Sequence, residues 1–151
     1  MERIASFDVD HDKIVKGIYI SRIDGDIVTY DMRTRVPNGG DYMSNITMHS
    51  VEHMFATYIR NSDIGKDVIY FGPMGCRTGF YLLVRDVEPR VVGETVKRVL
   101  RLIVDHNGTM FGATRQECGN YRELDLNAAK DEAKAYLEVL ENCEMTFEYP
   151  R

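Results

Sequence analysis

Between residues 27 and 36 the chain alternates with the two-residue period of a β-strand. Val28, Tyr30, Met32, Thr34 and Val36 fall on one face, and Thr29, Asp31, Arg33 and Arg35 on the other. The preceding "KGIYISR" (16–22) reads as a second strand, joined to the first through the tight turn "DGD". "PNGGDY" then interrupts the pattern, and beyond it the period lengthens to that of a helix. With Ser44 or Asn45 as N-cap, a helix is predicted to about Asn61, its apolar stripe formed by Val51, Met54, Phe55 and Tyr58. "DVIYFGPMGCRTGFYLLVRD" (67–86) predicts strand, Gly/Pro turn, strand. Helical spacing returns over 93–105 (Val96, Val99, Leu100, Ile103) and over 127–141 (Ala129, Ala133, Tyr136, Leu137, Leu140). Strands and helices in this irregular order predict an α+β fold, a mainly antiparallel sheet packed against α-helices.

At 151 residues, 44% apolar, the chain is expected to form one small domain over 1–151 with a substantial core. A net charge of −5, without any cluster of Lys and Arg, argues against a nucleic-acid surface. The longest strongly apolar run, "FYLLV" at 80–84, is far too short to span a bilayer. The opening "MERIASFDVDHD" has no apolar signal core, so a cytoplasmic protein is expected. There the three cysteines stay as thiols, available as ligands or reactive groups.

The helix over 45–61 carries more than a core stripe. His49 and His53 stand four apart, one turn along a shared face, with Glu52 beside them, all on the side away from the stripe. Two readings are open here, a pair of metal ligands with an acid/base group or a solvated helix face. Cys118, in the loop "TRQECGNYRELDL", is the best candidate for a third ligand. His₂Cys leaves an open, catalytic-type site suited to zinc or iron(II). Cys76 lies in "GPMGCRTG", where glycines permit close approach and Arg77 favours a thiolate; the alternative is a buried cysteine at a tight turn. In "SFDVDHDK", Asp8, Asp10 and Asp12 alternate as in a calcium loop. Lys13 stands where that loop needs glycine and Tyr19 where it needs glutamate, so calcium is rejected. Ser6 and His11 are read instead as substrate contacts or a polar strand edge.

Taken in order, "SFDVDH", "IYISR", "YDMR…PN", "MHSVEHMFA", "PMGCRTGFY" and "ECGNY…DL" resemble the S-ribosylhomocysteine lyase (LuxS) family along nearly the whole chain. H-x-x-E-H alone also marks inverted-motif metallopeptidases, the alternative reading, which would use a carboxylate third ligand and give Cys76 no role. A non-catalytic metal-binding domain would need neither Glu52 nor Cys76. The resemblance implies one divalent metal per subunit on His49, His53 and Cys118, iron(II) with zinc or cobalt able to replace it. It implies Glu52 and Cys76 as the acid/base pair and Ser6, His11 and Arg33 as substrate contacts. It further implies a homodimer with active sites at the interface. The implied reaction cleaves S-ribosylhomocysteine to homocysteine and 4,5-dihydroxy-2,3-pentanedione, the precursor of the quorum-sensing signal autoinducer-2, within the methyl cycle. Two departures stand out: "IYFG" before "PMGC", with Tyr70 and Gly72, and Leu124-Asp125-Leu126 where the family usually has His-Asp-Leu.

Overall fold

The computed structural model describes residues 1–151. Four strands, β1 (Gly17–Asp24), β2 (Ile27–Arg33), β3 (Val68–Pro73) and β4 (Gly79–Arg85), form one sheet in the order β1-β2-β4-β3. Every neighbouring pair is antiparallel, as the alternation predicts. β1 and β2 are joined by Gly25 and Asp26 alone, with Gly25 at φ +62°, a conformation this two-residue turn requires and glycine supplies without strain.

Pleating places Ile18, Tyr30, Met32, Phe80, Leu82 and Val84 on one face of the sheet, all buried. Three helices cover that face: α1 (Asn45–Arg60), α2 (Pro89–Val104) and α3 (Leu126–Glu141). Val51, Met54, Phe55 and Ile59 of α1, Val96, Val99, Leu100 and Ile103 of α2, and Ala129, Ala133, Tyr136 and Leu140 of α3 join the strand residues in a single hydrophobic cluster. Ser44 caps α1, its Oγ accepting from Thr47 N at 3.1 Å. Asp125 caps α3 by accepting from Asn127 N at 2.9 Å.

Two boundaries and one placement differ from expectation. α2 begins at Pro89 rather than at 93, because proline fits the first turn of a helix, where its missing N–H has no partner to lose. β2 ends at Arg33 rather than at 36. The Thr34 and Arg35 amides both donate to Thr78 O at 3.0 Å, which pulls the chain out of the ladder. Ser6 and His11 lie not on a strand but in a 3-10 turn (Ala5–Phe7) and the turns after it.

The polar face of β2 is buried at Asp31 and Arg33. Arg33 and Asp31 are each 2% exposed and paired through two hydrogen bonds, of 3.0 and 2.6 Å. The C-terminal segment closes this pair in. Phe147 runs along the β1 edge, its carbonyl accepting from Ile20 N at 2.8 Å. Tyr149 then stacks on Tyr19, with ring centroids 4.9 Å apart, and donates its hydroxyl to Asp31 at 2.7 Å. A tail lying on an edge strand also shields its unpaired backbone groups. On Arg33, burial alone would lower the pKa, but the hydrogen bonds and charge of Asp31 outweigh it and the net shift is upward.

Candidate metal centre

α1 presents its apolar stripe to the core and turns His49, Glu52 and His53 toward the loop that follows α2. That loop, residues 105–125, returns over α1 and is anchored at its far end by Asp125 N, which donates to the buried Ser50 Oγ at 2.8 Å. The anchor brings Cys118 to the helix: its Sγ lies 3.4 Å from His49 Nε2. One donor atom from each of His49, His53 and Cys118 falls within 4.8 Å of the other two. Zinc-type bonds of about 2.0 Å to nitrogen and 2.3 Å to sulfur at a tetrahedral angle put N and S about 3.5 Å apart. The His49–Cys118 separation therefore already suits one shared ion.

The surroundings of each donor fit the same purpose. His53 Nδ1 lies 2.9 Å from Phe111 O, and since a carbonyl only accepts, Nδ1 carries the proton and Nε2 is left as the donor atom. The approach depends on Gly112, whose φ is +66° and where a Cβ would stand 2.8 Å from His53 Nδ1. Phe111 is in turn held by Tyr58 and His106, ring centroids 5.2 and 4.9 Å away. His106 is fixed at both nitrogens, 2.7 Å from Tyr58 Oη and 2.9 Å from Thr109 O. The third histidine on this side of the molecule is thus structural. Cys118 Sγ also accepts from Asn120 N at 3.4 Å.

A cavity of about 310 Å³ opens beside the cluster, lined by Asn45, Met48, His49, Glu52, Pro73 and Glu123. Glu52 faces this cavity and is not one of the three converging donors. Cys76 sits on the β3–β4 turn just beyond Pro73. It is exposed rather than buried, its Sγ 3.0 Å from Thr78 Oγ1. Thr78 Oγ1 in turn accepts from Arg33 Nη1 at 2.8 Å, so the buried guanidinium reaches the Cys76 turn through one hydroxyl. Arg77, beside the cysteine, adopts φ +64°, an unusual conformation for a residue with a side chain.

Ser6 and His11 lie apart from this cluster. Ser6 lines a separate cavity of about 510 Å³ on the outer face of the sheet, with Ile4, Arg22, Thr29, Tyr70 and Tyr81 among its walls. His11 Nδ1 donates to Val9 O at 2.8 Å. Phe111, Gly112, Asn120 and Glu123 were not singled out from sequence. Only Gly112 left a signal there, a glycine in a stretch without periodicity.

A sequence model of the S-ribosylhomocysteinase (LuxS) family matches residues 4–146. The S-ribosylhomocysteine lyase of Borreliella burgdorferi is 40% identical over 157 aligned positions, covering 99% of this chain and 100% of the relative. That of Desulfotalea psychrophila is 40% identical, covering 99% of each. The S-ribosylhomocysteine lyase of Phocaeicola vulgatus is 42% identical, covering 94% of this chain and 92% of its own. With full-length relatives at this identity and a family match over nearly every residue, the chain belongs to the S-ribosylhomocysteinase (LuxS) family.

Proposed function

We propose that this chain is a metal-dependent S-ribosylhomocysteine lyase that releases homocysteine and 4,5-dihydroxy-2,3-pentanedione. The observation that carries the reading is the convergence of His49, His53 and Cys118 beside a cavity faced by Glu52. His49, His53 and Cys118 would hold one divalent ion per subunit, iron(II) in preference, with zinc or cobalt able to replace it. When bound, the ion supplies Lewis acidity to oxygens of the sugar. A sulfur third ligand speaks against the peptidase alternative, which calls for a carboxylate.

The chemistry asks the protein chiefly for proton transfers. The thioether of the starting aldose is unactivated, so the carbonyl must first move from C1 to C2 and then to C3. Each shift takes a proton from one carbon and returns one to its neighbour. Loss of the C4 proton then expels the homocysteine thiolate from C5, and the resulting enol becomes the dione. Cys76, exposed on its turn, takes and returns the carbon-bound protons. Glu52, on the cavity wall, moves protons among the sugar oxygens and at the elimination step. Arg33 contributes from its buried position, holding Thr78 against the Cys76 sulfur. Ser6 and His11 are assigned to substrate contact from a second subunit, since Ser6 and the metal cluster line separate cavities within one chain.

The protein is accordingly read as a cytoplasmic homodimer serving the methyl cycle and autoinducer synthesis. No helix is long and apolar enough to cross a membrane. The test is a free-thiol assay on anaerobically purified protein given S-ribosylhomocysteine, alongside metal analysis. Stoichiometric metal with homocysteine release is the expected result. Metal-replete protein that releases no thiol would overturn the assignment.

A further inference from the structure

His49 Nδ1 is one of only two buried side-chain polar atoms in the molecule without a hydrogen bond, the other being Tyr30 Oη. Its nearest carboxylate oxygen is Glu123 Oε2 at 3.2 Å, off the line an N–H would need. Because Nε2 of the same ring faces Cys118, Nδ1 must carry the proton when Nε2 serves as ligand. A buried N–H without an acceptor is costly, and a 3.2 Å separation can be aligned by rotating the ring or the carboxylate, with the backbone unmoved.

We propose that Glu123 is a positioning residue of the metal centre, accepting the Nδ1–H of His49 and so fixing the tautomer and orientation of that ligand. The inference rests on the metal-centre reading above. Glu123 is built for this part. It lies in a 3-10 turn (Tyr121–Glu123) five residues after Cys118, and its side chain is 31% exposed. Asn120 Nδ2 donates to the same Oε2 at 3.2 Å, while Asn120 N donates to Cys118 Sγ. One short loop therefore supplies a ligand, a hydrogen bond to that ligand's sulfur, and a clamp for a second ligand on α1. His53 has its equivalent in Phe111 O, so each imidazole has its own outer partner.

Metal affinity is the readout, measured on full-length protein by competition with a chelator for zinc or cobalt(II). Glu123→Ala is expected to weaken binding by roughly 10–100-fold. Glu123→Gln, which keeps an accepting oxygen without the charge, is expected to fall between that variant and the wild type. The visible spectrum of the cobalt(II) form should keep its band positions in Glu123→Gln, because the His₂Cys set is unchanged. Wild-type affinity in Glu123→Ala would overturn the proposal. Shifted cobalt bands in Glu123→Gln would also overturn it, by making Glu123 a ligand in its own right. Should Glu123→Ala fail to fold, the near-isosteric glutamine variant carries both measurements. Wild-type protein that takes up no metal would overturn the metal centre itself, an outcome distinct from a silent Glu123.

Discussion

Two sulfur atoms in this chain are expected to answer mutation in opposite ways. Cys76 is exposed and stands outside the donor cluster, on the turn after Pro73, which lines the neighbouring cavity. Cys76→Ala removes the group assigned to carbon proton transfer and leaves every metal donor in place. Metal content should be unchanged while homocysteine release falls by at least ~100-fold, the scale of a lost general acid/base. Full activity in that variant would sink the assigned mechanism. Cys118→Ala deletes one of three donors and should lose stoichiometric metal; retained binding would place the third ligand elsewhere. Tyr30 offers a contrast of another kind. Its hydroxyl is fully buried without a hydrogen bond, and burial pushes its pKa up to about 12. Because the hydroxyl gains nothing in the fold and loses its hydration, Tyr30→Phe should be neutral or stabilising by about 1 kcal/mol, measurable by urea unfolding.

Periodicity reports how an element meets its own neighbours, and at that scale the sequence was readable. The strand alternation and the α1 stripe were both legible, as was the pair His49 and His53 opposite the stripe. What escaped was set by residues distant in the chain. Alternation put Arg33 on the polar face of its strand beside Asp31, two residues earlier, and nothing local shows that the two pair with each other or that Tyr149 returns to bond Asp31. The loop over 105–125 has no period at all, so Phe111 and Glu123 became meaningful only once it was laid against α1. A third long-range contact joins the segment just after β2 to α3. Arg35 donates to Glu132 from Nε and Nη2, the shortest bond being 2.6 Å, and Glu132 is almost fully buried. The Arg35 pKa is raised chiefly by the hydrogen bond to Glu132. Removing one partner strands the other, so Glu132→Ala should cost about 3 kcal/mol in denaturant unfolding. A loss below about 1 kcal/mol would show that Arg35 is satisfied by Asp41, whose Oδ1 it also reaches at 2.8 Å.

A sheet covered by helices on one side leaves its other side to water unless something else packs there. Here that outer face carries Thr29, Tyr70, Tyr81 and Leu83 around the Ser6 cavity, and the N-terminal arm adds Ile4 and Phe7, which are 56% and 65% exposed. Apolar and aromatic side chains gathered on an open sheet face mark a contact surface. A second copy of the chain is the occupant that the homodimer proposed above would place there. In the proposed dimer, Ser6 of one subunit would serve the His49, His53 and Cys118 of the other, in keeping with their separate cavities within one chain. Placing charge on this face separates the two consequences. In Ile4→Glu combined with Tyr70→Glu, light scattering should give the mass of one 17.4 kDa chain, and twice that for the unmodified protein if it is the proposed dimer. Metal should remain stoichiometric, since all three donors come from a single chain. Homocysteine release should be lost, because the substrate contacts of the second subunit are gone. A monomer that turns over at the unmodified rate would refute the shared site, and an unmodified protein that is already monomeric would refute the dimer itself.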